Sequence, residues 1–186
     1  MHSYRCGPET VRLEHRAFTV DDAERFFAFN SHPDVMRFTG EPPLSSLDSA
    51  REAIANYRDF DDVGYGRWAC ILKETQTVIG FCGLKLLTDL DEVDVGYRFL
   101  PEFWGKGLAT EACAASLEFG FTTLHLHQII GLVLPGNTAS ARVLEKVGMQ
   151  ADGDFVYDGM RALRFFIRRE EPVNNCEKPS CGGAAI

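Results

Sequence analysis

The order of hydrophobic patterns along the chain predicts an α+β (mixed α/β) fold, a mostly antiparallel sheet carrying one parallel strand pair. Three observations predict it. Strand-like and helix-like periodicities follow one another as strand, two helices, three strands, helix, strand, helix and two strands. Short polar or Asp-Gly links join several strands as hairpins. One helix instead connects two strands by a crossover, which requires those strands to run parallel.

Val11 and Leu13, alternating with polar residues, mark a first strand ending near Phe18. Thr19 followed by Asp22 resembles a helix start, and Ala23, Phe26 and Phe27 give the apolar face of a short helix through Asn30. Pro33, Gly40, Pro42 and Pro43 punctuate the next stretch, with His32 as a local turn residue. Behind Ser45 and Ser46, Leu47, Ala50, Ile54 and Tyr57 recur at three- and four-residue steps and predict a second helix. Residues 67–72 and 77–84 read as a hairpin about residues 73–76, and a third strand covers 93–100. Leu108, Ala112, Ala115 and Phe119 share one helical face, so a helix opens directly behind Gly105-Lys106-Gly107. Residues 129–134 form a strand stopped by Pro135-Gly136. Asn137 or Thr138 starts the next helix, with Gly148 as its C′ residue. Strands near 154–157 and 162–168 turn about Asp158-Gly159.

The 186 residues suffice for one domain whose core needs neither metal nor disulfides. That domain is expected over 10–171, with 172–186, which has almost nothing to bury, as a flexible C-terminal tail. Nineteen basic against twenty-seven acidic residues give a net charge of −8. Such a chain has no general attraction for nucleic acid or anionic membranes, so any anion it binds must be held by a local site. No apolar run approaches the ~20 residues of a bilayer span, and Met1–Pro8 lacks the apolar stretch of a secretory signal. A cytoplasmic protein is expected. Cys70, Cys82 and Cys113 lie in apolar segments as buried free thiols, whereas Cys176 and Cys181 have no histidine or second pair nearby to make a metal site.

Trp104-Gly105-Lys106-Gly107-Leu108-Ala109-Thr110 follows a strand and opens a helix, so amide N–H groups without intrahelical partners point outward at the positive end of the helix dipole. The glycines either form an amide nest for a pyrophosphate or only make a tight strand-to-helix turn. The segment lacks the spacing of a nucleoside-triphosphatase loop and the dinucleotide glycine fingerprint.

Asp94-Val95-Gly96-Tyr97, residues 101–112 (PEFWGKGLATEA) and residues 135–149 (PGNTASARVLEKVGM) together resemble the GNAT acetyltransferases, in particular their RimJ/RimL-like branch. The resemblance spans roughly residues 10–170. It implies a sheet splayed at its parallel pair with helices on both faces, acetyl-coenzyme A as donor and an amine as acceptor. It further implies that Phe99 offers main-chain contacts to pantetheine, that Trp104, Gly105, Lys106, Gly107, Leu108, Ala109 and Thr110 hold the pyrophosphate, and that Asn137 contacts the pantetheine arm. Asn137 also suits the N-cap of its helix, and the two roles are compatible. Two positions depart from the wider superfamily: Trp104 replaces a common Arg or Gln, and Leu144 stands where many members carry a proton-donating tyrosine.

The implied chemistry needs orientation, a base or water chain to free the amine, and a proton for the departing thiolate. Asp94 is the candidate base, against the reading of a surface aspartate on an exposed sheet face. Ser140, which matches a serine given the donor role in the RimL-like group, relays a proton or simply bonds the cofactor. Phe38, Tyr65 and Trp68 either wall the acceptor pocket or belong to the core, while His125 and His127 read as structural. The acceptor is a protein N-terminus or a small amine or amino acid, and the protein a monomer or homodimer. The alternatives are a catalytically silent coenzyme A-binding sensor or scaffold and a nucleotide-phosphate binder.

Overall fold

The structure, a computed structural model, describes residues 3–169. The expected tail, with Cys176 and Cys181, lies outside the described residues.

The elements run β1 (Leu13–Arg16), α1 (Ala23–Ser31), α2 (Pro33–Met36), α3 (Leu47–Ala55), α4 (Asp59–Asp62), β2 (Arg67–Leu72), β3 (Thr77–Leu87), β4 (Glu92–Phe99), α5 (Leu108–Thr122), β5 (Gln128–Val133), α6 (Thr138–Lys146), β6 (Gln150–Tyr157) and β7 (Met160–Arg168). The seven strands form one sheet in the order β1-β2-β3-β4-β5-β7-β6. All neighbours are antiparallel except β4 and β5, the pair bridged by α5. This is the mixed sheet that the crossover argument requires.

Local chemistry explains most boundaries. The Asp22 carboxylate accepts the Thr19 N–H at 2.8 Å and pairs with both terminal nitrogens of Arg16, fixing the turn that leads into α1. Ser46 and Ser49 cap α3 reciprocally, each hydroxyl accepting the other's N–H at 3.1 Å. Asp158 and Gly159 both have positive φ, 49° and 72°, as a two-residue hairpin turn demands. Gly148 closes α6 at φ 87°.

The structure also departs from the sequence reading. Four helices rather than two precede β2, because α2 and α4 are single turns, too short to show a period; α2 is fixed by His32, whose Nδ1 accepts the Asp34 N–H. Tyr57 lies beyond α3 and packs edge-on against Phe60. β1 is only four residues long, with Val11 exposed before it, and β3 continues to Leu87. The sequence order does not say which strand of the C-terminal hairpin joins the sheet; β7 lies beside β5 and β6 is the edge.

The two faces of the sheet carry different partners. Trp68, Cys82, Leu84 and Val95 point toward α5, and Cys82 Sγ lies 3.4 Å from Ser116 Oγ on that helix. Phe81 points to the other face and meets Phe29 of α1 with ring centroids 5.9 Å apart. β3 bulges at Ile79, where the register with β2 shifts, and brings Gly80 against β4. A Cβ on Gly80 would lie 2.1 Å from the Arg98 carbonyl oxygen, a backbone atom that cannot move aside. Gly80→Ala should therefore destabilise the protein by about 2–3 kcal/mol or more in urea denaturation. Gly153→Ala, at a left-handed position with nothing within 4 Å, should cost only about 1–2 kcal/mol.

Candidate active site

β4 and β5 share one registered pair, Asp94 opposite Ile130. On its other side β4 pairs with β3, and the Leu100 N–H donates to the Ile79 carbonyl at 3.0 Å with Gly80 opposite Phe99. Gly80 and Phe99 are thus a non-hydrogen-bonded pair, so the N–H and C=O of Phe99, and by alternation those of Tyr97 and Val95, face the β5 side. Past Asp94 this edge opens into a cleft of about 880 Å³.

At one end of the cleft stands the glycine loop. Gly105 and Gly107 adopt φ of 72° and 75°, the left-handed conformation an amide nest uses, and nothing lies within 4 Å of a Cβ position on Gly105. Gly107 is the N-cap of α5, whose leading amides have no partner within the helix. This open cradle fits a diphosphate. Gly105, Gly107, Leu108, Ala109 and Thr110 all line the cleft, as does half-exposed Trp104. The Trp104 indole donates to the Phe99 carbonyl at 2.7 Å, so of the two polar groups Phe99 turns outward its N–H is the open one.

The Lys106 ammonium sits 5.5 Å from the Phe103 ring centroid, beside the loop. The cation that braces the loop is Arg12, which sequence reasoning missed. Arg12 donates to the Lys106 carbonyl at 2.9 Å and to Glu111 in the first turn of α5 at 2.7 Å. Burial alone would raise the Glu111 pKa, but hydrogen bonds from Thr10 and Arg12 hold that carboxyl below its ordinary value.

Asp94 lies in the middle of the cleft, buried rather than on an exposed face, so the surface reading is set aside. Burial pushes its pKa up, while the Arg67 guanidinium, donating at 2.6 Å, and the Leu132 N–H oppose the rise. Arg67 reaches it by lying across Gly96, where a Cβ would sit 2.5 Å from the guanidinium carbon. That contact explains the glycine in Asp94-Val95-Gly96-Tyr97.

Tyr97, three residues on, points through the opposite face. Its hydroxyl lies 2.8 Å from Ser140 Oγ and 2.9 Å from the Ser140 carbonyl, tying β4 to α6. Burial raises the phenol pKa above its usual value, against the pull of the Ser140 contact, so the group stays protonated. Sequence reasoning assigns Tyr97 no role. Asn137 caps α6, its Oδ1 accepting the Ser140 N–H at 3.2 Å, and lines the same cleft.

The aromatic residues expected around the acceptor divide. Phe38 lines the cleft. Trp68 and Tyr65 do not: Trp68 is fully buried on the α5 face, bonded to the Tyr4 carbonyl and packed against Phe119, and Tyr65 belongs to the same core. The sheet alternation turns Trp68 away from the cleft, and Phe81 supplies the wall instead, flanked by Arg67 and Arg98 at 5.5 and 5.3 Å. Among the described residues, no three His, Cys, Asp or Glu side chains are grouped to hold a metal, and no helix is long and apolar enough to cross a membrane.

Residues 12–150 match the family model of the GNAT acetyltransferase domain. The chain is 33% identical over 146 residues to an uncharacterized N-acetyltransferase, p20, of Bacillus licheniformis, covering 77% of this chain and 82% of the relative. It is also 33% identical over 159 residues to spermidine N(1)-acetyltransferase of Escherichia coli K12, covering 81% of this chain and 80% of that one. Among solved structures, a GNAT-family acetyltransferase from Bacillus anthracis superposes with a TM-score of 0.75 at 26% identity, over 87% of this chain and 97% of the other. The splayed strand pair, the glycine loop and these matches agree: the chain belongs to the GNAT acetyltransferase family and is an acetyl-CoA-dependent acyltransferase.

Proposed function

We propose that this enzyme transfers an acetyl group from acetyl-CoA to a primary amine by direct attack within a ternary complex, in the cytoplasm. One observation carries the proposal: a single cleft joins the glycine loop on the α5 and α6 side of the sheet to Asp94 on the opposite side, through the β4–β5 opening. Two substrates can then approach from opposite faces and meet at the gap without a covalent enzyme intermediate.

Acetyl-CoA supplies an activated acyl group on a sulfur leaving group. The amides of residues 105–110 hold its diphosphate, the Trp104 N–H being already donated to the Pro101 carbonyl, and the Phe99 N–H and Asn137 align its amide-bearing arm. At neutral pH freeing the lone pair of an amine with pKa near 10 costs roughly 4 kcal/mol. Asp94 takes that proton before attack; as the N–C bond forms and the C–S bond breaks, the nitrogen sheds its second proton to water, and the Tyr97–Ser140 pair gives a proton to the thiolate and is reprotonated from water. A silent coenzyme A sensor was suggested by Leu144 in place of the usual tyrosine. The Tyr97 hydroxyl in the same cleft supports transfer instead. Thiol release with a panel of amines tests this, and saturable acetyl-CoA binding without turnover on any amine would favour the sensor.

Gly107→Val forces a β-branched residue into a left-handed position at the loop. It should weaken acetyl-CoA binding by about tenfold or more in calorimetry while the far-UV circular dichroism spectrum is retained. Asp94→Asn should lower kcat/KM by about a hundredfold at pH 7. Because burial raises the Asp94 pKa, the wild-type acid limb falls above the usual aspartate range. Without that base the amine's own deprotonation governs the rate, so the deficit should shrink as the pH of the assay approaches 10. Tyr97→Phe and Ser140→Ala should each reduce kcat by about ten- to a hundredfold, and the double variant should lose little more than either alone if the two hydroxyls act as one donor. Additive losses in steady-state kinetics would separate them.

A further inference from the structure

The acceptor half of the cleft is unusually rich in cations for a protein of net charge −8. Arg67, Lys85 and Arg98 all point to the face that carries Asp94, since Lys85 stands opposite Asp94 and Arg98 opposite Phe81. Of the four carboxylates lining the cleft, Asp34, Glu41, Asp94 and Asp158, two pair with these cations. Asp94 is consumed by Arg67 at 2.6 Å and also feels Lys85; Glu41 reaches Arg98 at 3.0 Å from the exposed rim. The Arg98 side chain is only 10% exposed and is held from behind by Asn30.

Arg67 is the incomplete member. Its Nη2 bonds Asp94, its Nε is buried without a partner, and its Nη1 has none among the described residues. The guanidinium is braced between the Phe81 ring and the backbone at Gly96, so its plane is fixed before any ligand arrives. A fixed, under-bonded guanidinium on the floor of a cleft is a carboxylate receptor.

We propose, building on the acetyltransferase reading above, that the acceptor is an aminocarboxylate, a free amino acid whose carboxylate is received by Arg67. A polyamine would bring further positive charge onto Arg67, Lys85 and Arg98, where the one buried carboxylate is already engaged. A protein N-terminus carries its amine without a carboxylate beside it and leaves Arg67 incomplete. An aminocarboxylate satisfies both ends of the site: its carboxylate binds Arg67, which loosens the hold of Arg67 on Asp94 and makes that carboxylate a stronger base for the adjacent amine. Binding of the correct acceptor thereby readies the base.

The test compares the common amino acids, their carboxamides, spermidine and a tetrapeptide as acceptors, by thiol release and by calorimetric titration of the same compounds into the protein saturated with coenzyme A. The best amino acid should exceed its own carboxamide in kcat/KM and in affinity by about tenfold or more. In Arg67→Gln the ratio of acid to carboxamide should fall toward one, and Arg67→Lys, which keeps the charge, should restore part of it; circular dichroism checks that both variants fold. Equal use of acid and carboxamide, preference for spermidine or the peptide, or an unchanged ratio in Arg67→Gln overturns the proposal. Absence of turnover on any amino acid while acetyl-CoA still binds overturns the acceptor class alone. Failure to bind acetyl-CoA removes the transferase reading itself.

Discussion

The divergence of β4 from β5 is the constraint on which the site depends. Two parallel strands in the middle of a sheet would ordinarily exchange hydrogen bonds along their length, yet these two keep one registered pair. Beyond it the backbone of Tyr97 and Phe99 is directed into a cleft. Burying such groups without partners would be costly, and the protein manages the cost with side chains. The Asp94 carboxylate lies against the Leu132 N–H on one strand, and the Trp104 indole takes the Phe99 carbonyl on the other. The Tyr97–Ser140 contact then holds α6 across the opening. The residues to which the proposed reaction assigns roles are therefore also those that bridge the gap.

Much of this was legible in the sequence because it rests on local rules. The Asp158-Gly159 turn, the Gly148 stop and the glycine loop ahead of α5 are set by backbone conformations that few residues adopt, so the residue types announce them. The parallel pair followed from crossover geometry. What escaped was decided by contacts distant in sequence. Nothing near Arg67 signals that it will lie across Gly96 to reach Asp94, and nothing near Arg12 signals its bond to Glu111, 99 residues away. Whether Trp68 walls the pocket or joins the core stays open in the sequence for a related reason. In a strand buried on both faces, hydrophobicity does not reveal which face a residue takes, and the bulge at Ile79 shifts the register that would have told.

The same alternation organises the chemistry. Asp94 and Tyr97 are three residues apart on one strand and so project through opposite faces, which puts the thickness of the sheet between the proposed base and the proposed proton donor. A base and an acid in direct contact would neutralise each other's function by sharing a proton. Placed on either side of an opening, each keeps its own protonation state: Asp94 engaged with Arg67, and the Tyr97 phenol kept neutral by burial. Gly96, between them, has no side chain, and the space it leaves is the space Arg67 occupies.

Global and local charge point in opposite directions in this molecule, and the local field decides what binds. The net charge of −8 is spread over the surface and is screened beyond about 8–10 Å at physiological ionic strength. Arg67 and Arg98 lie under the cleft, partly or largely removed from water, where screening is weak and an unpaired donor is costly. Such an arrangement favours a ligand that brings its own negative charge to the floor, and it disfavours one that brings more positive charge, whatever the average of the surface. A base role for Asp94 competes with its neutralisation of Arg67, and in the proposed scheme an acceptor that relieves Arg67 resolves that competition. Recognition and base activation then become a single event at one guanidinium.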